Sequence, residues 1–108
     1  MNTLRNSVRL IGNVGNDPEI RTFEDDKKFA KFSLATNESY TNNKSEKIKQ
    51  TTWHNIVAYG SIVDVIENHV EKGKQLAVEG KLTYREYQDK DGVTQNITEI
   101  VIDQIILL

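Results

Sequence analysis

The segment "TTWHNIVAYGSIVDVIENHVEKG", residues 51–73, joins a strand-like pattern to a helix-like pattern and decides the fold of this chain. Its first ten residues alternate with the two-residue period of a β-strand. One face of this predicted strand carries Trp53, Asn55, Val57 and Tyr59, and the other carries Thr52, His54, Ile56 and Ala58. Both faces include apolar groups, so the alternation alone does not identify the core. With Ile56 on the inside, two large aromatic rings stand on the outside of the sheet.

Beyond Gly60 the pattern changes to the spacing of an α-helix. Ser61 and Asp64 form a weak capping box at its start, and Gly73 stands where a glycine often ends a helix. The apolar residues of this helical stripe are Ile62, Val63, Ile66 and Val70. The segment therefore predicts a short helix directly after a strand.

Two further strands are predicted before this junction. Residues 4–14 alternate as the first strand, and Gly12 within it and Gly15 after it indicate a bulge or a sharp barrel corner. A phosphate-binding loop is the alternative, but neither a Gly-Lys-Ser/Thr motif nor a helix follows. The second strand is "KFAKFSLATNES", residues 28–39. The polar, lysine-rich "YTNNKSEKIKQ", residues 40–50, predicts a long mobile loop before the third strand.

After the helix, the chain has the pattern of a β-hairpin. Its strands are "KQLAVEGKLTYREYQ", residues 74–88, and "NITEIVIDQIILL", residues 96–108. The intervening "DKDGVT" contains Asp91-Gly92, a favoured hairpin dipeptide. Asp89 and Asp91 raise the alternative of a calcium site, but the twelve-residue loop with its distal glutamate is absent. The pattern therefore favours a turn.

The order of three strands, one helix and two strands predicts an all-β fold with one helix. We expect a five-stranded Greek-key barrel of the OB type, with the helix between strands 3 and 4. A ferredoxin-like sandwich would need a helix after the first strand, and "NDPEIRTFEDDK" has no apolar helical stripe. An SH3-like barrel does not normally carry a helix at this point. In OB barrels, the outer face of the middle strands binds oligonucleotides or oligosaccharides.

Composition sets limits on the class of protein. With 108 residues, we expect a single domain over residues 1–108. The absence of cysteine excludes disulfides, zinc–thiolate sites and cysteine nucleophiles, and suits a reducing cytoplasm. No apolar run approaches a membrane-spanning length. The net charge is −2, but basic residues cluster locally, so charge neither favours nor excludes a nucleic-acid partner.

The sequence offers no set of residues for catalysis, so we predict neither an enzyme nor a bound cofactor or metal. His54 points away from Trp53, toward the core or an oligomer face. A metal or catalytic role needs partners, and the only other histidine, His69, lies on the predicted helix. The pattern favours a hydrogen-bonded, structural role for His54.

Large aromatic rings recur over the predicted sheet, and cations lie between them. The rings are Tyr40, Trp53, Tyr59 and Tyr87, and the cations include Lys31, Arg85 and the lysines of residues 40–50. Flat rings on which bases stack and cations that follow phosphates suit single-stranded nucleic acid, where each stacked base contributes ~1–3 kcal/mol. The alternatives are packing of the tyrosines at a subunit interface and binding of an oligosaccharide.

Five blocks, which together span most of the chain, carry a resemblance to a known family. They are "VRLIGNVGNDPEIR", "FSLATNESY", "TTWHNIVAYG", "VEKGKQLAVEGKL" and "YREYQDKDGVTQNITEIVID". In this order they resemble the blocks of bacterial single-stranded DNA-binding proteins, which have the OB fold. The run from Gly12 to Arg21 together with "WHNIVAYG" is the most specific part of the match.

The resemblance implies roles for individual residues. The family's stacking positions, several of which are more often Trp or Phe, fall on Tyr40, Trp53, Tyr59 and Tyr87. Its basic, phosphate-contacting positions fall on Arg21, Lys72 and Arg85, and Arg5 and Lys31 are further candidates. The family usually forms a homotetramer through strand pairing and contact between sheet faces, which implies a position near a subunit interface for His54.

The function implied by the resemblance is sequence-tolerant binding of single-stranded DNA in replication, recombination and repair, in the cytoplasm with the nucleoid. The alternative is a primosome-type OB protein that acts mainly through protein–protein contacts, and the aromatic residues weigh against it. The family normally continues into a glycine-rich linker and an acidic tail that recruits replication and repair enzymes. This sequence stops at "IDQIILL", so we expect the tail to be absent and assign its recruitment to none of these residues.

Overall fold

The structure is a computed structural model that describes residues 4–23 and 27–108. Its helix, α1, spans Ile62–His69. The strands are β1 (Val8–Val14), β2 (Glu19–Phe23), β3 (Lys27–Thr41), β4 (Lys47–Tyr59), β5 (Gln75–Gln88) and β6 (Thr94–Leu107). The predicted order of strands and helix is confirmed, and β2 is an addition to it.

The strands form one sheet in the order β1-β5-β6-β4-β3-β2. The pairing of β4 with β6 is parallel, and the other pairings are antiparallel. β1 also pairs with β3, through Asn13 opposite Ala35 and Val14 opposite Leu34, and this contact closes the sheet into a barrel. The closed barrel consists of β1, β3, β4, β5 and β6, as the OB-type prediction requires, while β2 extends it at the edge of β3.

The core lies on the Ile56 face of β4, which settles the choice between the two faces that the alternation left open. Ile56 and Ala58 are completely buried, and so are Ala30 and Leu34 on the adjacent β3. Helix α1 packs against β3, β4 and β6, and it buries Val63 and Ile66. Burial of such side chains contributes about 1.5–3 kcal/mol each, which fixes the register of β3 and β4. The opposite face of β4, which carries Trp53 and Tyr59, therefore points to the outside of the barrel.

One prediction about local structure is wrong. Residues 40–50 do not form a long loop, because β3 continues to Thr41 and β4 begins at Lys47. The short turn between them is held by Asn42, whose Oδ1 accepts hydrogen bonds from the backbone N–H groups of Lys44 and Glu46. Both strands extend beyond the core here, so most of their side chains are polar. The backbone hydrogen bonds between the two strands continue nonetheless.

The predicted caps of α1 are confirmed only in part, because Ser61 is the N-cap residue as expected but the other features differ. The side chain of Ser61 makes no capping hydrogen bond, and the helix ends at His69, with Val70 rather than Gly73 as its C-cap residue. Gly73 instead has a φ of 90° in the turn that leads into β5, where its N–H donates to the carbonyl of Val14 at 2.8 Å. The hairpin turn predicted at residues 89–94 is confirmed, with a φ of 77° at Gly92.

Candidate nucleic-acid interface

The outer face of β4 presents two exposed rings that point away from the core. The exposed fractions of Trp53 and Tyr59 are 61% and 54%. Between them, the side-chain amide of Asn55 donates a hydrogen bond of 3.3 Å to the carbonyl of Thr98 on β6. Asn55 precedes the three described pairs of the parallel β4–β6 ladder, which begin at Ile56, so its amide extends the contact between the two strands. The polar residue between the rings therefore has a structural partner.

Trp53 lies over the connection between β1 and β2. A Cβ atom added to Gly15 would overlap the six-membered ring of the indole, at 2.9 Å from Cη2. Next to Gly15, Oδ1 of Asn16 accepts hydrogen bonds from the backbone N–H and the hydroxyl of Ser33, at 2.9 Å and 2.6 Å. These bonds hold the connection against β3, and the absence of a side chain at Gly15 makes room for the ring.

Four of the predicted site residues line one open cavity of about 390 Å³ on this face. They are Arg21, Lys31, Tyr59 and Arg85, and the cavity also contains Glu19, Phe29, Val57 and Glu99. The strand register explains the grouping, because Arg21 on β2 lies opposite Phe29 on β3, which lies opposite Tyr59 on β4. The cavity therefore brings cations and an aromatic ring together, as binding of a nucleic acid requires.

Arg85 is held by an almost buried carboxylate at the side of this cavity. Its Nε lies 3.2 Å from Oε1 of Glu99, and its Nη2 lies 3.3 Å from Oε2. The exposed fraction of Glu99 is only 7%. This hydrogen-bonded ion pair raises the pKa of Arg85 above its usual value, so the guanidinium stays charged at all ordinary pH values.

The other cations of the cavity differ in how far they are already neutralised. Arg21 is paired with Glu19, to whose Oε1 its Nε donates a hydrogen bond of 2.7 Å. Lys31 is half-buried and makes no ion pair with any residue in the described ranges. The positive charge that is most available to a ligand in this cavity is therefore that of Lys31.

The two remaining predicted rings lie away from this cavity. Tyr87 is 46% exposed on the same face of β5 as Arg85, as its parity predicts. Tyr40 is 54% exposed near the end of the β3–β4 hairpin, opposite Ile48. The unbroken register of that hairpin places Tyr40 on the face that carries His54, so the structure does not bring it together with Trp53.

The remaining basic candidates also lie at the periphery. Arg5 is exposed in the turn before β1, beside Asn6, whose side chain exchanges hydrogen bonds with the backbone of Leu82 on β5. Lys72 is exposed in the α1–β5 connection, and its backbone N–H donates to Oδ1 of Asp17 at 3.0 Å. Asp17 follows Asn16, so Lys72 borders the segment over which Trp53 lies.

His54 lies on the inner side of β4, half-buried, as its parity predicts. Its Nε2 is 3.0 Å from Oγ1 of Thr36, which confirms a hydrogen-bonded histidine. β1 pairs with β3 only at Asn13 and Val14, so Thr36 and His54 lie where the two strands diverge. Within the described ranges, no group of three or more His, Asp or Glu side chains is placed to hold a metal ion.

Phe23 and Phe29 are aromatic residues of this face that the sequence analysis did not place in the site. Phe29 shares the outer face with Lys31, and its parity alone was sufficient to find it. Phe23 lies on β2, which was not predicted, so no signal placed it on the same face. In the described part of the chain, no helix is long and apolar enough to cross a membrane.

A five-stranded barrel with exposed rings and cations on one face defines an OB-fold protein with a candidate nucleic-acid interface. The model of the Single-strand binding protein family matches residues 5–108. A Rickettsia felis single-stranded DNA-binding protein is 43% identical over 109 residues, with coverage of 95% of this chain and 72% of that protein. One from Bacteroides thetaiotaomicron is 41% identical, and the match covers 65% of its length. The chain therefore belongs to the Single-strand binding protein family.

The likeness extends to solved structures. A structure of a Plasmodium falciparum SSB in complex with ssDNA superimposes with a TM-score of 0.91 and 37% sequence identity. The match covers 100% of this chain and 97% of that one. The family resemblance and the OB-type barrel that the sequence predicts are both confirmed.

Proposed function

We propose that this chain binds single-stranded DNA without strong sequence preference, by stacking of bases on exposed rings and neutralisation of phosphates. The observation that carries the proposal is the outer face on which Trp53 and Tyr59 stand exposed beside the cation-lined cavity. Stacking tolerates any sequence because every base has a π-face. The names of the relatives and of the superimposed ssDNA complex support the same ligand.

The path of the strand follows from the positions of the rings. Trp53 and Tyr59 stack bases along β4, and Tyr87 extends the path over the β5–β6 hairpin. Tyr40 lies on the other face of the β3–β4 hairpin, so it stacks a base only where the strand passes around that hairpin. Phosphates are contacted by Arg5, Arg21, Lys31, Lys72 and Arg85. The chain acts in this way as a binding protein and not as an enzyme, in replication, recombination and repair, and in the cytoplasm with the nucleoid.

Fluorescence of the sole tryptophan, Trp53, tests the proposal directly. Titration with oligothymidylate at low salt should quench the emission, and a duplex of equal length should not. The logarithm of the binding constant should fall with the logarithm of the salt concentration, by a slope of ~0.7 for each phosphate contact. A folded protein whose emission is unchanged by oligothymidylate would refute the function.

We further propose that the chain forms a homotetramer through two surfaces. The first is the edge of β1, which the described strands leave unpaired over residues 8–12 and which suits antiparallel pairing with a second copy. The second is a row of apolar residues on the outside of the sheet, formed by Ile11, Ala77 and Ile106, which lie directly opposite one another. His54 lies beside the free edge of β1, which supports a position near the interface.

Light scattering tests the assembly. Wild-type protein should have the mass of four chains. Ile11→Glu places a charge in the apolar row and should yield smaller species with intact secondary structure. Val93→Glu is the matched control, because Val93 is an exposed apolar residue in the β5–β6 turn, away from both surfaces. A monomeric wild type, or an Ile11→Glu variant with unchanged mass, would contradict this assembly.

A further inference from the structure

Two phenylalanines continue the row of aromatic rings beyond Tyr59. The ring centroids of Tyr59 and Phe29 are 6.2 Å apart, and those of Phe29 and Phe23 are 6.0 Å apart. All three residues lie on the outer face, because Phe23 pairs with Lys27 two positions before Phe29. Phe23 remains 44% exposed, although it is a large apolar residue on the last strand of the sheet. Phe29, between Phe23 and Tyr59, is half-buried, while the outer two rings of the row stay exposed, which suits a binding surface.

The two rings are continuous with the interface described above. Tyr59 forms a wall of the cavity that contains Lys31 and Arg85. It also forms a wall of a second open cavity, of about 590 Å³, which contains Phe23 and Lys27 and borders the start of α1. A strand of DNA that stacks on Tyr59 therefore reaches Phe29 and Phe23 without leaving the surface.

The charged residues that line the second cavity are Lys27, Lys28 and Asp64. Lys28 is compensated by Glu67 of α1, with Nζ 3.5 Å from Oε1. Lys27 makes no ion pair with any residue in the described ranges. Phe23 is the last residue of β2, so the row of rings ends there.

We infer that Phe23 and Phe29 form an additional base-stacking subsite for single-stranded DNA, with Lys27 as its phosphate contact. The inference rests on the proposed function and lengthens its binding surface across the β2–β3 hairpin. The rings are tilted by 53° and are too close for a base to enter between them, so bases stack against their outward faces. The subsite is engaged only by an oligonucleotide long enough to pass Tyr59.

A series of oligothymidylates tests the subsite through this dependence on length. The lengths run from about 4 to about 16 nucleotides, the range of sites that single OB folds occupy. Trp53 emission reports binding by wild type, Phe23→Ala and Phe23→Tyr. The matched control is Tyr84→Ala, which truncates an exposed ring on the opposite face of β5. Thermal unfolding of each variant confirms that the barrel is intact.

We expect Phe23→Ala to bind the shortest oligonucleotide as wild type does and the longest about 10-fold more weakly. Phe23→Tyr keeps the ring and should retain wild-type affinity at every length, as should Tyr84→Ala. If wild type binds but Phe23→Ala matches it throughout, or loses affinity equally at all lengths, the subsite is refuted. A loss in Phe23→Tyr as large as in Phe23→Ala also refutes it. If wild type shows no quenching at all, the proposed function itself fails.

Discussion

Arg85 lies over Glu99, with two nitrogen–oxygen distances of 3.2 Å and 3.3 Å between the exposed guanidinium and a carboxylate that is almost buried. The pair has one member exposed on the outer face and the other almost buried within the sheet. Glu99 therefore neutralises part of the positive charge of Arg85, and that part is not available to a phosphate. We therefore expect the strength of this pair to set how much Arg85 contributes to the proposed binding of DNA.

Glu99→Gln should strengthen binding of single-stranded DNA at low salt. The amide oxygen of glutamine still accepts a hydrogen bond from Arg85, but the neutralising charge is gone. We expect the salt dependence to steepen by up to ~0.7 in slope, the contribution of one phosphate contact. Titration of oligothymidylate at several salt concentrations measures both effects. Unchanged affinity and slope would show that Arg85 does not contact phosphate.

Arg85→Ala should reduce stability as well as binding, because it leaves the carboxylate of Glu99 buried without its partner. The expected cost is about 1–3 kcal/mol in the free energy of unfolding, measured by urea denaturation. The double variant Arg85→Ala/Glu99→Gln should recover most of this stability and still bind DNA more weakly than wild type. Recovery of stability together with full affinity would remove Arg85 from the interface.

Trp53→Ala should reduce affinity for oligothymidylate by about 5- to 150-fold, since one stacked base contributes ~1–3 kcal/mol. The variant has no tryptophan, so anisotropy of a labelled oligonucleotide replaces intrinsic fluorescence. The oligomeric mass should not change, because Trp53 lies apart from both proposed subunit contacts. Tyr84→Ala serves as the control for loss of an exposed ring. A Trp53→Ala variant with wild-type affinity would contradict the proposed path.

Gly15→Ala should displace the indole of Trp53 without unfolding the barrel. The added Cβ meets side-chain atoms, the indole and Oγ of Ser33 at 2.8 Å, and both are able to shift. We expect weaker binding than in wild type, a smaller loss than in Trp53→Ala, and a shifted emission maximum. In contrast, Gly12→Ala directs its Cβ at the backbone of Ala35 and should lower the melting temperature. Identical emission and affinity in Gly15→Ala would contradict this account.

Asp89→Asn should weaken the β5–β6 turn at neutral pH. Oδ1 of Asp89 accepts backbone hydrogen bonds from Val93 at 3.0 Å and Asp91 at 2.9 Å, and Oδ2 accepts one from the side chain of Gln95 at 3.1 Å. Led by the bond from Val93, these interactions lower the pKa of Asp89 below its usual value. The stabilisation is therefore complete above the unfolded pKa of about 3.9 and is lost as pH falls through the lowered value.

Thermal unfolding of wild type and Asp89→Asn at a series of pH values checks this dependence. The difference between the two melting temperatures should be present at pH near 7 and shrink below about pH 4. A difference that is independent of pH would show that the charge of Asp89 has no part in the turn.

Three local patterns of the sequence determined the strand order, the helix and the class of barrel. They are the alternation of residues 51–60, the helical spacing after Gly60 and the hairpin dipeptide Asp91-Gly92. They did so because burial imposes a period on a segment that contacts the core. The same parity placed Trp53 and Tyr59 on one face of the strand, and the structure shows that this face is the outer one. Where strands leave the core, this signal disappears, and so β2 and the long β3–β4 hairpin were not predicted.

Only the tertiary structure decided which surface residues meet. Arg21, Phe29 and Tyr59 come from three strands and are aligned by register. Arg85 pairs with Glu99 across the β5–β6 hairpin, although the residue directly opposite Glu99 is Thr83. Tyr40 shares the aromatic character of Trp53 but not its face. The sequence predicts on which side of a strand each residue lies, because the two-residue period of a strand depends only on neighbouring residues. The neighbours across a curved sheet depend on closure of the whole barrel.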